Sequence, residues 1–440
     1  MNKTNKRNIL ISSILAIMLC VSLIAGATFA LFTSESKVNI AVTSGKVDVV
    51  ATISNTALSH KEADSSEASG YKEVEGFWGG SATLDESAQT LTLDTMVPMD
   101  KISFQIDIVN NSNVAVKYRT VIMCDEDNGL FDGLTVTIGE DANAVTYEGR
   151  TSISNYATLE VGEGNATIPV VVEMTEEKGS EYQDKSCTLS YKVEAVQGNA
   201  ATTDPEAGLF EIYTKSDLKY FQKHASEITG TVKLINDIDL GGADWTPIQW
   251  NVIDKTTFDG NGKTISHFNV ESTIPYTGFF GVTSHQVIKD LTIDNATVKG
   301  INHVGAIVGH GVDTSIERCV VTNSKITTVV YNNDDGDKAG AIAGWLEEGA
   351  PSVTNCTVDK CVITGYRDIA GLVGHVGIDT PTVANNIVKN TQIIQDLTGG
   401  YKTETPTTVG EVVGRIGDGV GTLDLTTNIT ENNTISQIGN

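Results

Sequence analysis

The chain has 440 residues, 56 of them acidic and 30 basic, for a formal charge of −26. Forty percent hydrophobic residues supply enough apolar material for packed cores and exclude wholesale disorder. The acidity excludes general binding of nucleic acid, whose phosphates it would repel, and a polybasic membrane-surface role. Eight prolines against 42 glycines, with abundant Val, Ile, Thr and Asn, lean toward β structure, and the length predicts two or three domains.

Residues 1–30 read as an export signal. Lys3, Lys6 and Arg7 form a positive start, Ile9 to Ala25 is an apolar run of 17 residues, and Gly26-Ala27-Thr28-Phe29-Ala30 ends in the small residues that a signal peptidase needs. Cleavage after Ala30 takes the formal charge from −26 to −29; retention as an anchor helix is the alternative. Five cysteines then remain, Cys124, Cys187, Cys319, Cys356 and Cys361. An odd, sparse set without Cys-x-x-Cys spacing points to buried thiols, neither a disulfide framework nor a zinc site.

Residues 31–196 alternate apolar and polar side chains with period two, the mark of strands with one buried face. The runs are Val38, Ile40, Val42; Val47, Val49, Ala51, Ile53; Ile102 to Ile108; Val114 to Cys124; and Cys187 to Ala195. They predict a β-sandwich with Cys124 and Cys187 facing inward, either paired across it or as two free thiols. The polar stretch from His60 to Gly80 reads as a long surface loop.

Ala27 to Ser34, followed by Ser44-Gly45-Lys46-Val47-Asp48-Val49, resembles the start of the TasA/camelysin family. Met99-Asp100-Lys101-Ile102 leading to Val109-Asn110-Asn111-Ser112, and Tyr182 to Val196, resemble that family's inner and closing strands. The resemblance covers about 165 residues. It implies a jelly-roll-like sandwich, export through a SipW-type signal peptidase, and self-association into biofilm-matrix fibres or assembly with related matrix subunits. The mature N-terminal segment of one subunit would complete the sheet of the next, with Leu31, Phe32, Val38, Ile40 and Val42 as the assembly strand. Camelysin-type proteins are also labelled metallopeptidases. This chain has no His-Glu-x-x-His, and His60 is the one histidine of the sandwich segment.

Residues 197–208 contain no large apolar residue and read as a linker. Beyond it an internal repeat is carried by glycine clusters at Gly278–Gly281, Gly305–Gly309, Gly340–Gly344, Gly371–Gly374 and Gly410–Gly414. Each is followed by a short strand, from Ile288, Ile316, Val353, Val383 and, more weakly, Leu425, and then by one ending in Val298, Ile326, Ile363, Ile393 or Ile435. A repeat of about 30 residues built from short strands predicts a solenoid whose coils stack like residues on like. That alignment puts Leu291, Cys319, Cys356 and Asn386 in one inward column. His310 and His375 each follow the last glycine of a cluster and are expected near one another in a turn or surface ladder.

The repeat, with the lead-in Val232 to Leu240, Trp245-Thr246-Pro247-Ile248 and Phe258 to Ile265, resembles the GLUG-motif right-handed parallel β-helices of bacterial surface proteins. Leu218, Phe221, Ala225 and Ile228 share a helical face and predict a helix capping the first coil. The fold class is therefore all-β: a sandwich over 31–196, then a β-helix over 209–440.

For function these features predict an exported structural or adhesive protein, a biofilm-matrix or cell-surface fibre component of a Gram-positive-type bacterium that presents its β-helix to glycans or to host or bacterial surfaces. The alternative is a matrix-associated carbohydrate-active enzyme, which would need carboxylates converging in a groove along the solenoid. No catalytic or cofactor residues are assigned. The acidic insertion containing Asp334, Asp335 and Asp337 is a weak calcium candidate without EF-hand spacing. Trp245, Trp250 and Tyr276 could form a glycan-stacking platform, although packing is the simpler role for Trp245.

Overall fold

The computed structural model describes residues 33–36, 47–85, 87–161, 165–200, 208–251, 255–329, 337–377, 379–398, 408–418, 420 and 423–439, with backbone alone at 33–36 and 142. The chain divides into two compact units, residues Met1–Pro205 and Glu206–Asn440.

The first unit is an antiparallel sandwich. One sheet runs Ser152–Ile153, Val116–Asp127, Ser186–Gln197, Thr90–Asp94, Ser81–Asp85. The other runs Tyr71–Glu75, Val49–Ala63, Asp100–Asn110, Asn165–Met174, Leu134–Ile138, Val145–Glu148. Alternation explains the core: Ile102, Phe104, Ile106 and Ile108 are all buried on one face of their strand, opposite Leu189 and Val193 of the other sheet's inner face. Cys124 and Cys187 are buried free thiols, but on neighbouring strands of the same sheet, where Cys124 pairs with Leu189 and Cys187 with Asp127. A bridge across the sandwich is therefore not what these positions offer.

The expected loop after His60 is largely a hairpin. Val49–Ala63 runs on past His60 and pairs with Tyr71–Glu75, His60 opposite Val74. Both faces of this ribbon are largely solvated, so it lacks the apolar alternation that would have marked it in the sequence. His60 itself is buried, its Nδ1 2.9 Å from the Gly76 carbonyl.

Thr33–Ser36 adds antiparallel to Ser186–Gln197, Thr33 opposite Val196 and Ser36 opposite Val193. Thr90–Asp94 covers the Ser186–Ser190 part of that strand. The N-terminal segment continues the sheet where that neighbour stops.

The second unit is a parallel β-helix. The register reproduces the sequence repeat: Ile288, Ile316, Val353 and Val383 form one column, and Val298, Ile326, Ile363, Ile393 and Ile435 another. The members up to Ile393 are buried, each worth about 1.5–3 kcal/mol of hydrophobic burial. The coils turn at left-handed residues stacked on one another, Asp290, Arg318, Asn355 and Asn385 at one corner and Asn295, Asn323, Lys360, Asn390 and Asn432 at the next. Asn and Asp tolerate that conformation best among residues with a side chain.

The first coil is closed by a helix, Lys215–His224, with a capping box between Thr214 and Asp217. Its Leu218 and Phe221 are buried, and Phe221 meets Trp250 edge-on with ring centroids 5.3 Å apart. Trp245 and Trp250 are core residues, Trp245 stacked on Phe279 and Trp250 on Phe280. A glycan platform built on these two tryptophans is thereby replaced by packing.

Candidate functional site

The glycine clusters draw two walls of the β-helix together, and the densest set of chemically capable side chains lies along that seam. One column comes from the strands Phe280–Ser284, Val308–Val312, Ala343–Glu347, Val373–Val376 and Val413–Ile416, and reads Val282, His310, Trp345, His375, Arg415. The facing column lies one residue before Thr277, Val304, Ala339 and Ile369, which stack on successive coils, and reads Tyr276, His303, Lys338, Asp368. All four have positive φ, between 52° and 71°, and none is glycine. Non-glycine residues held in that region cost energy and persist where surrounding structure fixes them.

Glycine is required in the strand between the columns because backbone passes backbone there. A Cβ on Gly344 would stand 2.4 Å from the carbonyl carbon of His303, and one on Gly374 2.8 Å from the Asp368 carbonyl oxygen. None of these cluster glycines has positive φ; close approach decides them.

The rings interleave. Tyr276 stacks on His303 at 5.1 Å and on His310 at 4.9 Å; Trp345 stacks on His303 at 4.9 Å, on His310 at 4.7 Å and on His375 at 5.9 Å. The Lys338 ammonium lies 5.1 Å from the Trp345 ring centre. At the C-terminal end sit the charges. Asp337 pairs with Lys338 at 3.0 Å and Arg367 at 2.7 Å; Asp368 accepts a hydrogen bond from Thr408 at 2.6 Å and lies 3.9 Å from both His375 and Arg415.

Burial sets the electrostatics. It pushes His303 down to about 3 and His375 to about 4, with Lys338 reinforcing both. His310 is also lowered by burial, against the pull of Glu347, whose carboxylate is 2.7 Å from its Nε2. Burial raises Asp368, whereas at Asp337 the effect of burial is outweighed by Lys338 and Arg367 and its carboxyl is held low. Both ring nitrogens of His303, the Trp345 indole nitrogen, His375 Nδ1 and Asp368 Oδ2 lack a hydrogen-bond partner among the described residues. The neutral histidines and one raised carboxyl can hold or exchange protons. Among the described residues no group of three or more His, Cys, Asp or Glu is arranged to hold a metal ion.

Of the residues singled out in the sequence, His310 and His375 share a column but are separated by Trp345. Asp337 is a buried strand residue engaged with two cations, and Asp334 and Asp335 lie outside the described residues. So do Ala30, Leu31, Phe32, Val38, Ile40 and Val42. His303, Lys338 and Asp368 stand outside the glycine clusters that mark the repeat. The signal for them was present: each sits one residue before the strand position held by Val304, Ala339 or Ile369, so extending the repeat alignment upstream would have collected them.

No family model matches the chain. Halomucin of Haloquadratum walsbyi (strain DSM 16790 / HBSQ001) is 28% identical over 272 residues, 54% of this chain and 3% of that protein. The chain therefore spans a small fraction of the relative's length. A solved structure described as the crystal structure of the Agl-KA catalytic domain overlaps 77% of this chain and 91% of its own at 9% identity and a TM-score of 0.14, too low to carry an argument. Among the described residues no helix is long and apolar enough to cross a membrane.

Proposed function

We propose that this chain is an exported, non-enzymatic structural or adhesive protein of the extracellular matrix or cell surface, in which the sandwich mediates assembly and the β-helix is displayed. The similarity to halomucin supports a surface or extracellular setting, and the resemblance of residues 1–30 to an export signal supports secretion. The finer assignment, a TasA/camelysin-like fibre subunit released by a SipW-type peptidase, rests on the sequence resemblance.

The observation that carries the assembly reading is the pairing of Thr33–Ser36 with the Val193–Val196 edge. A terminal segment of four residues held by backbone pairing can leave its own sheet and fill the same edge of a neighbour, because the hydrogen bonds regained are identical. Negative charge opposes association, so salt or acid promotes it. The test is light scattering and electron microscopy of the mature chain and of a variant lacking residues 31–42. Head-to-tail oligomers promoted by salt or acid and lost on deletion support the reading. Unaltered assembly by the deleted form removes the strand exchange, and strict monomers under every condition remove the fibre role.

A second reading, a carbohydrate-active enzyme, draws on Asp337 and Asp368, carboxyls on successive coils whose proton affinities are pushed apart. Against it, both side chains are almost fully buried and engaged by Lys338, Arg367 and Thr408, which leaves little room for a sugar between them. Release of reducing ends from matrix polysaccharides, abolished in Asp368→Asn, would favour the enzyme.

A further inference from the structure

At one edge of the sandwich the two sheets part and leave a cleft of about 350 Å³. The sheet containing Val116–Asp127 contributes Tyr118 and Ala157; the other contributes Ile138 and the run Thr167–Ile168–Pro169. The floor is where the hydrophobic core ends, at Tyr118 and Ile138. The rim is polar: Glu140, Asn143, Ser154 and Asn155, with Tyr156 beside them.

The rim is held in place from behind. Residue Ser154 is pinned to the neighbouring strand in both directions, its N–H donating to the Thr120 carbonyl at 2.9 Å and its Oγ accepting from the Thr120 N–H at 2.8 Å. The same hydroxyl donates to the Asn155 carbonyl at 3.0 Å. Tyr156 lies against the Arg119 guanidinium, 5.3 Å from ring centre, and Arg119 is itself anchored by Glu194 at 2.7 Å. On the opposite wall a left-handed turn, Gly139 at φ 91° and Asp141 at φ 52°, brings Glu140 and Asn143 to the cleft. Gly139 is tied to Pro169 by a 2.8 Å backbone hydrogen bond. The Tyr118 side chain beneath them is almost wholly buried.

Such a lining selects for one chemistry. An aromatic residue, two side-chain amides and a hydroxyl, over an apolar floor, suit a ligand that has an apolar face and many hydroxyls. Among the described residues Glu140 is the only acidic or basic side chain lining the cleft, and Arg119 is engaged by Glu194, so an anion has no counter-charge there. We propose that this cleft is a binding subsite for an uncharged hexose or N-acetylhexosamine unit of a glycan. The site belongs to the single folded sandwich and does not depend on strand exchange.

The probes are neutral hexose and N-acetylhexosamine oligosaccharides, with uronate oligosaccharides and a mixed peptide pool as controls, titrated calorimetrically into the intact mature chain and into Tyr156→Ala and Asn155→Ala. Asn155 is exposed, so its variant keeps the fold even if Tyr156→Ala loosens the rim, and circular dichroism checks both. Neutral sugars are expected to bind with Kd of about 0.01–1 mM, weakened about tenfold by Tyr156→Ala and about fivefold by Asn155→Ala, with uronates and peptides silent. Absence of neutral-sugar binding at 10 mM or so, tighter binding of uronates or peptides, or full retention in both variants would overturn the assignment.

Discussion

The backbone N–H of Cys319 points at the Sγ of Cys356 in the next coil, 3.4 Å away. Both residues occupy one inward column, with Leu291 before them and Asn386 after, and the chain uses whatever small or apolar group fits there. Burial pushes the Cys319 thiol well up and the Cys361 thiol to about 12, so neither supplies thiolate at neutral pH. Labelling the native protein with a maleimide should leave Cys319, Cys356 and Cys361 unmodified over hours, and denaturant should expose all three. Prompt reaction of any one in the native state contradicts the packing.

The close approach at the glycine clusters is equally testable. A side chain at Gly309 would place its Cβ 2.5 Å from backbone atoms of Tyr276 and Thr277, and one at Gly374 within 2.8 Å of backbone in its own coil and the preceding one. Backbone cannot yield as a side chain can, so Gly309→Val and Gly374→Val should each cost more than about 3 kcal/mol. Gly262 offers a contrast, since its φ is 70° but nothing lies near its missing Cβ. Gly262→Ala should cost only about 1 kcal/mol, from backbone strain alone. Denaturant titrations followed by tryptophan fluorescence would separate the two cases; equal effects at all three positions would refute the distinction.

Much of this fold was legible because stacking makes sequence spacing visible. Once Ile288, Ile316, Val353 and Val383 were aligned, the columns containing Cys319 and Val298 followed. The Lys215–His224 cap was readable from Leu218 and Phe221 for the same reason, a period matched to one buried face. The His60 hairpin was not, since a ribbon solvated on both faces carries no alternation. The ring ladder was half legible: His310 and His375 are marked by the glycines before them. Their interleaving with His303 and Trp345 depends on two walls meeting, which spacing along one wall does not encode.

Asn386 marks a change in what the inward column does. Its Oδ1 accepts the Cys356 N–H at 2.8 Å, and its Nδ2 donates to the Val353 carbonyl at 2.9 Å and to Asn428 Oδ1 at 2.8 Å. A fully buried amide with these bonds satisfies backbone that the corner leaves unpaired. Asn386→Leu, although it restores the residue type found at Leu291, should destabilise the solenoid by about 2–4 kcal/mol because several buried polar groups lose partners together. Cys319→Val should cost about 1 kcal/mol or less. If thermal unfolding ranks the two in the opposite order, the column is decided by volume and the amide bonds carry little.

The ring ladder should make the solenoid acid-labile, and the sign follows from linkage. His303 and His375 bind protons in the unfolded chain near pH 6.5, but in the folded one only near 3 and 4. Between those limits the unfolded state holds more protons, so stability falls as pH drops, by about 1.4 kcal/mol per pH unit for each histidine. His310 acts in the same direction, moderated by Glu347. Asp368 opposes it: its folded affinity is raised above the ordinary carboxyl value of 3.8, so protonation there favours the folded state as pH falls. Asp337 has the reverse shift and adds its loss below pH 3.8. The Lys338 ammonium disfavours an imidazolium at both His303 and His375, and the Arg415 and Arg367 guanidiniums add to this at His375. Three lowered histidines against one raised carboxyl leave a net loss of stability from pH 6.5 to about 4. Denaturation midpoints measured across that range at constant ionic strength, following Trp345 and its neighbours by fluorescence, should fall steadily. His303→Gln and His375→Gln should each flatten the slope, even if they lower stability at pH 7. An unchanged slope in both variants would mean that these rings are not the groups that take up the protons.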